Sequence, residues 1–338
     1  MYETRKKHRF AAAVFSALLC LGLCIPPAWA ADGEQTLIPL GKAVGIKLFA
    51  DGVLVVELSQ LDGGVSPAKT CGLKEGDLIV RINDEKIQST EHLQAVLQAN
   101  GEAPMQLEIK RGSAVLHEEI TPVRCGDGVY RLGAWIRDSM AGVGTLTYYD
   151  PATAQYGALG HGITDVDTAK LMPLASGSIM ETTVKAVRKG AEGSPGELKG
   201  DFSVQRDVGT LQANTDGGIF GTVSDADFVP TAKAYPVAEN GEIHTGAATI
   251  LATVSGDVTQ EYAVEILRLY PENRATRNLL LRVTDPQLLE TTGGIVQGMS
   301  GSPILQDGKI IGAVTHVLLN DPTRGYGIFI ENMMDAAG

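Results

Sequence analysis

From Tyr130 to its C-terminus the sequence is a succession of short apolar runs broken by glycine, with little helical periodicity. Runs at 142–148, 157–163, 218–223, 247–254, 262–268 and 310–316 are each of strand length and end in turn residues. Glycine serves turns between strands but weakens helix interiors, so this punctuation argues against a helix bundle. The expected fold is mainly β, a sandwich or a pair of barrels. With 40 glycines in 338 residues and few aromatics, the composition agrees, and the length allows two domains with cores of their own. One helical piece is expected at 286–291, and 190–200 reads as an exposed loop.

The first thirty residues have a different character. Arg5, Lys6, Lys7 and Arg9 precede an apolar stretch at 10–25, followed by Pro26, Pro27 and the small-residue pattern Ala28-Trp29-Ala30. This reads as a secretory signal over 1–30, the apolar stretch being shorter than the roughly 20 residues of a spanning helix. A retained membrane anchor is the alternative reading. Leucine precedes both Cys20 and Cys24, so neither sits in a lipoprotein cleavage context. Loss of 1–30 removes one acid, Glu3, and the four bases, which moves the net charge from −12 to −15. Nucleic acid and anionic lipid are therefore poor partners. Cys71 and Cys125 remain, and two cysteines in an exported chain can pair, although spacing alone fixes no bridge. Two cysteines and scattered histidines imply no metal, and no cofactor is expected.

Residues 31–43 read as a short leader to a compact module at 44–123. Its pattern is strand (45–49), strand (52–58), a turn at Ser66-Pro67-Ala68, then Gly72-Leu73-Lys74-Glu75-Gly76-Asp77, strand (78–82), helix (90–98) and two strands (105–110, 115–121). Thr90 is the expected N-cap, and Leu93, Val96 and Leu97 form the helix's apolar stripe. The module resembles a PDZ domain, most specifically in Ser66 to Ala68 and Gly72 to Asn83. Such domains bind extended peptides by strand addition. The resemblance puts the capturing loop at Gly45, Ile46, Lys47 and Leu48, where Lys47 stands in place of the family's second glycine. The alternative is a module that only positions its neighbours.

Gly298-Met299-Ser300-Gly301-Ser302-Pro303 leads into an Asp307-Gly308 turn and the apolar run Ile310 to Thr315. A serine between glycines on a tight turn can present its hydroxyl while the Gly298 and Ser300 amides point together, as a tetrahedral oxyanion requires. The hairpin that follows resembles that of chymotrypsin-like proteases, whose second strand walls the specificity pocket. His316 would lie at the end of that strand and line the pocket. His161, flanked by Gly160 and Gly162, is the expected base and stands in the same order, histidine before serine. Its competitors are His244 and His316. Asp285, Asp165 and Asp167 all qualify by spacing as the residue that orients the imidazole.

The motifs Gly157-Ala158-Leu159-Gly160-His161, Asn214-Thr215-Asp216-Gly217-Gly218 and Thr284-Asp285-Pro286, with Gly293 through Pro303 and Asn320-Asp321-Pro322-Thr323, together resemble the SpoIVB peptidase family. Signal, PDZ domain at 44–123 and peptidase domain at 130–338 follow in that family's order, so the likeness covers nearly the whole chain. It implies a chymotrypsin-like double β-barrel and a Ser300–His161–Asp285 triad. It also implies an exported, self-cleaving serine endopeptidase of sporulation, acting between forespore and mother cell. Its partners would be protein substrates: its own N-terminal segment and a membrane-held inhibitory complex, whose cleavage activates an intramembrane protease that processes a sigma-factor precursor. The rival readings are a general envelope quality-control protease and a non-catalytic PDZ adaptor.

Overall fold

The computed structural model describes residues 35–229, 232–272 and 276–338, apart from the side chains of 202–205 and 226. The signal or anchor read at 1–30 lies outside the described residues. In chain order the strands are β1 (Thr36–Leu58), β2 (Leu78–Ile82), β3 (Met105–Arg111), β4 (Ala114–Ile120), β5 (Ala134–Asp150), β6 (Gln155–Ala158), β7 (Ser176–Arg188), β8 (Glu197–Thr215) and β9 (Gly218–Val223). Then come β10 (Gly246–Ala252), β11 (Gln260–Leu269), β12 (Leu279–Val283), β13 (Pro303–Gln306), β14 (Lys309–Leu318) and β15 (Asp321–Phe329). The helices are short: α1 (Pro67–Thr70), α2 (Thr90–Asn100), α3 (Pro286–Thr292) and α4 (Ile330–Asp335).

Strands β1, β7, β8, β9, β6 and β5 neighbour one another in that order, and β5 pairs back onto β1, which closes six strands into a ring. A second closed barrel runs β10, β11, β12, β15, β14, β13. Side-chain alternation decides what faces inward. Ala248, Ile250 and Ala252 of β10, Tyr262, Val264 and Ile266 of β11, and Leu279, Leu281 and Val283 of β12 are all buried at a period of two. They meet in the second barrel's core, while Val44, Ile46, Leu146, Tyr156, Ile179 and Ile219 build the first. A further cluster, with Tyr148 and Phe220 from one barrel and Leu305, Ile310 and Ile328 from the other, packs against Ile330 and Met333 of α4. The fold is thus the expected double β-barrel.

The PDZ module is not a bead ahead of the barrels. Part of the stretch read as a leader is the start of β1, with Leu37 and Leu40 buried and Ala43 and Val44 paired to β5. From Val53 onward β1 turns to the module, pairing with β2 and β5, and Val55, Ile79, Ile82, Leu107 and Ile109 pack against Leu93 and Leu97 of α2. The module is thereby inserted between β1 and β5. Helix α2 is capped by Ser89, whose side chain accepts from His92 N at 3.1 Å, one residue before the expected Thr90. Both Cys71 and Cys125 carry free thiols.

The expected peptide-capturing residues need correction. Gly45 pairs with both Met180 and Val143, Ile46 with Ile179 and Gly142, Lys47 with Ser178 and Ala141, and Leu48 with Gly177 and Met140. A strand paired on both sides has no open edge for an added strand. The segments 45–49 and 52–58, read as two strands, run as one strand through an irregularity between Phe49 and Leu54. The module's own cleft, about 310 Å³, lies between α2 and the start of β5, where Leu93, Leu97, Leu132, Trp135 and Ile136 border it.

Candidate active site

Strands β13 and β14 form the hairpin expected after Ser300. In the loop before it, four consecutive carbonyls are held. Gln297 O accepts from Leu198 N at 2.8 Å, Met299 O from Ser302 N at 3.0 Å and Ser300 O from Thr145 N at 3.1 Å. Gly298 O accepts from Thr145 Oγ1 at 2.7 Å. In a trans peptide unit the N–H points away from the C=O. Holding Gln297 O and Met299 O therefore turns the Gly298 and Ser300 amides the other way, and among the described residues neither amide donates to an acceptor. Two unengaged amides on one tight loop beside a hydroxyl are donors available to a developing negative charge. At Gly301, with φ of 97°, a Cβ would sit 2.0 Å from Thr145 O and 2.6 Å from Leu159 N. Only glycine lets the loop lie this close to the first barrel.

Leu159 N donates to Thr145 O at 3.2 Å as the chain leaves β6. Leu159 and Gly160 both take φ of 67°, which turns the next residue, His161, toward the loop that holds Ser300. His161 Nδ1 lies 2.9 Å from Gly162 O. A carbonyl can only accept, so Nδ1 carries the proton and Nε2 keeps its lone pair. Burial pushes the His161 pKa below the ordinary histidine value, and the Gly162 carbonyl opposes this in part.

His161 and Ser300 border one cavity of about 400 Å³, together with Gly298, Thr315 and His316. Ser300 Oγ donates to Thr315 O at 3.0 Å. The His316 ring centroid lies 5.3 Å from that of His161, with the planes inclined at 42°. His316 Nδ1 is buried without a hydrogen-bond partner, and burial, then His161 and Arg277, push the His316 pKa down to about 4. His244 is elsewhere, with Nε2 2.7 Å from Asp307 on the turn of the hairpin.

The three candidate acids are engaged otherwise. Asp285 caps α3: its Oδ1 accepts from Gln287 N at 2.9 Å and Leu288 N at 3.0 Å, and its Oδ2 from Ala263 N at 3.3 Å. Pro286, the first residue of that helix, is the signal for such a cap. Asp165 is fully buried, ion-paired to Arg137, and accepts from the amides of Asp167 and Thr168. Asp167 pairs with the same guanidinium at 2.8 Å. None of the three hydrogen-bonds His161 or borders its cavity. The acid role carried onto Asp285 thus has no counterpart in this geometry, where the Gly162 carbonyl holds Nδ1. Sequence reasoning also missed Thr145, a buried strand residue whose three polar groups touch both the Ser300 and the His161 loops.

The sequence profile of the SpoIVB peptidase S55 family matches residues 128–334, and that of the PDZ domain matches 65–111. Over 68 residues the chain is 35% identical to a Clostridium perfringens protein that carries the name zinc metalloprotease CPE1693. That match takes in 20% of this chain and 20% of the relative, so the chain spans about one fifth of that curated protein's length. Among solved structures, the PDZ domain of the SdrC-like protein Lmo2051 from Listeria monocytogenes is 23% identical with a TM-score of 0.22, covering 25% of this chain and 87% of that one. The Rv3671c protease from M. tuberculosis, in its active form, is 14% identical with a TM-score of 0.32, covering 58% and 73%. The S55 match begins just before β5 and ends in α4, and so takes in more than half of the chain and every barrel strand except β1. On that extent of match the chain belongs to the SpoIVB peptidase S55 family, and it carries a PDZ domain.

Proposed function

We propose that the protein is an exported serine endopeptidase in which Ser300 is the nucleophile and His161 its base, acting in sporulation by cleaving itself and a membrane-held inhibitory complex. The observation that carries the chemistry is the His161 tautomer: Nε2 is free to accept a proton on the cavity that Ser300 borders. In the reaction Ser300 Oγ leaves the Thr315 carbonyl, gives its proton to Nε2 and attacks the substrate carbonyl carbon. The Gly298 and Ser300 amides take the oxyanion, and Gly162 O stabilises the imidazolium through Nδ1–H. His161 then protonates the leaving amine, and water hydrolyses the acyl ester by the reverse sequence. His316 lines the same cavity and belongs to its specificity surface.

Asp285→Asn distinguishes this dyad from a triad. Asparagine caps a helix about as well as aspartate, so the fold is retained while the charge is lost. Turnover per folded molecule is expected to change by less than about tenfold, against roughly 10⁴ for an aspartate that orients the catalytic histidine. A loss of the larger size, measured on soluble peptide with the folded fraction checked by circular dichroism, would return the acid role to Asp285.

The pH profile is a second measure. Burial disfavours the imidazolium, so His161 stays a competent base below the ordinary histidine pKa of about 6.5. The acid limb of kcat/KM is therefore expected below pH 6.5, activity being lost as pH falls through the depressed pKa. An acid limb above that value would contradict His161 as base in this setting.

The sporulation role and export rest on the family and on the reading of 1–30. Self-cleavage has a structural bound: β1 starts at Thr36 and Leu37 is 1% exposed, so a cut that spares the barrel falls at or before Thr36. The test is incubation of the purified full chain with a fluorophosphonate probe, and N-terminal sequencing of parallel samples without it. Labelling at Ser300 and a new N-terminus at or before Thr36 are expected. An unlabelled chain would overturn the peptidase mechanism, and a labelled chain that never trims would remove self-cleavage alone.

A further inference from the structure

The cavity beside Ser300 is uncharged. Among the described residues that border it, none is Asp, Glu, Lys or Arg. Its second-barrel side is Ile295 and Val296, which are 2% and 1% exposed, with Val317 from β14. Its first-barrel side includes Val143 of β5 and Leu159. Charged neighbours on the bordering elements are paired elsewhere: Arg137 of β5 with Asp165 and Asp167, and Lys47 of β1 with Asp207. Arg277, which acts on His316, has its guanidinium 5.3 Å from the Tyr326 ring. The two titratable side chains on the wall, His161 and His316, are both held toward the neutral form by burial.

The position of a bound peptide follows from the reacting atoms. The Gly298 and Ser300 amides fix the carbonyl oxygen, and Ser300 Oγ fixes the carbon it attacks. The residue that contributes this carbonyl then has 295–298 on one side and 315–317 on the other, and its side chain enters the cavity. We infer that the peptidase selects an apolar residue, of the size of valine, leucine or methionine, on the acyl side of the scissile bond and excludes carboxylates and ammonium groups there. This rests on the Ser300–His161 reading above. The physical cause is that a charge entering this wall would lose its hydration and meet no counter-charge. An apolar side chain there gains contact with Ile295, Val296 and Val317 and gives up only water.

The test uses aminoalkyl diphenyl phosphonates carrying a leucine, glutamate or lysine side chain, with the full chain and a recognition-free fluorophosphonate as reference. Each reagent reports the rate at which Ser300 Oγ displaces a phenoxide from phosphorus, so no natural substrate is required. The leucine reagent is expected to label Ser300 on the order of 100-fold faster than either charged one. Val317→Asp and the surface-facing Gln297→Glu each put a carboxylate on the wall. Each should shift the lysine-to-leucine ratio toward lysine by about tenfold or more, so that one informative variant remains if the other does not fold. Equal or faster labelling by a charged reagent overturns the inference, as does fluorophosphonate labelling with no reaction from any phosphonate. If the fluorophosphonate itself fails to label, the Ser300–His161 mechanism falls first.

Discussion

Ser300→Ala is expected to lower peptide turnover by on the order of 10⁶-fold, the scale measured when a serine peptidase loses its nucleophile. The fold should survive. The lost hydroxyl makes a single hydrogen bond, to Thr315 O at 3.0 Å, and a bond of that kind contributes about 1 kcal/mol to stability. His161→Ala should lose a comparable factor, and the double variant little more than either, because the two act as one unit. Initial rates on a soluble peptide, set beside thermal melts of each variant, separate chemistry from stability. Substantial cleavage by folded Ser300→Ala would end the assignment. Full activity in His161→Ala, with loss in His316→Ala, would move the base 5.3 Å across the cavity to the neighbouring ring.

Local chemistry carried much of this in the sequence, and long-range pairing did not. The nucleophile hairpin, the glycine-flanked histidine and the turn and helix of the PDZ module are each written within a few consecutive residues. Their elements stand in the structure where the pattern put them. The error at Gly45 to Leu48 has a different origin. A strand with good alternation does not reveal how many partners it has, and here β7, more than 120 residues away, closes the ring on it. Asp285 was ambiguous for a related reason. An aspartate before a proline reads equally as a helix cap or as an acid delivered from a turn, and only the third dimension separates the two. The leader reading of 31–43 missed that Leu37 and Leu40 belong to a barrel whose other strands lie far along the chain.

Thr145→Val is expected to lower kcat by about 10² to 10³-fold, the scale of a lost oxyanion donor, with KM little changed. Thr145 is 1% exposed and holds both catalytic loops at once. Its amide donates to Ser300 O, its hydroxyl to Gly298 O at 2.7 Å, and its carbonyl accepts from Leu159 N ahead of His161. Valine has the same shape and leaves the two backbone contacts in place, so the substitution deletes one bond and strands Gly298 O in a dry setting. That loss is worth about 1–3 kcal/mol, and a shift of the loop that brings Gly298 O to water relieves it by displacing the Gly298 and Ser300 amides, which belong to the peptide units on either side, from the oxyanion position. Thr145→Ser restores the hydroxyl and should recover most of the rate. Labelling by a fluorophosphonate should fall in parallel with kcat in Thr145→Val, since the phosphoryl oxygen uses the same amides. A residue that only packs would instead reduce the folded fraction and leave the rate per folded molecule unchanged. That result, or a failure of serine to rescue, would reduce Thr145 to a core threonine.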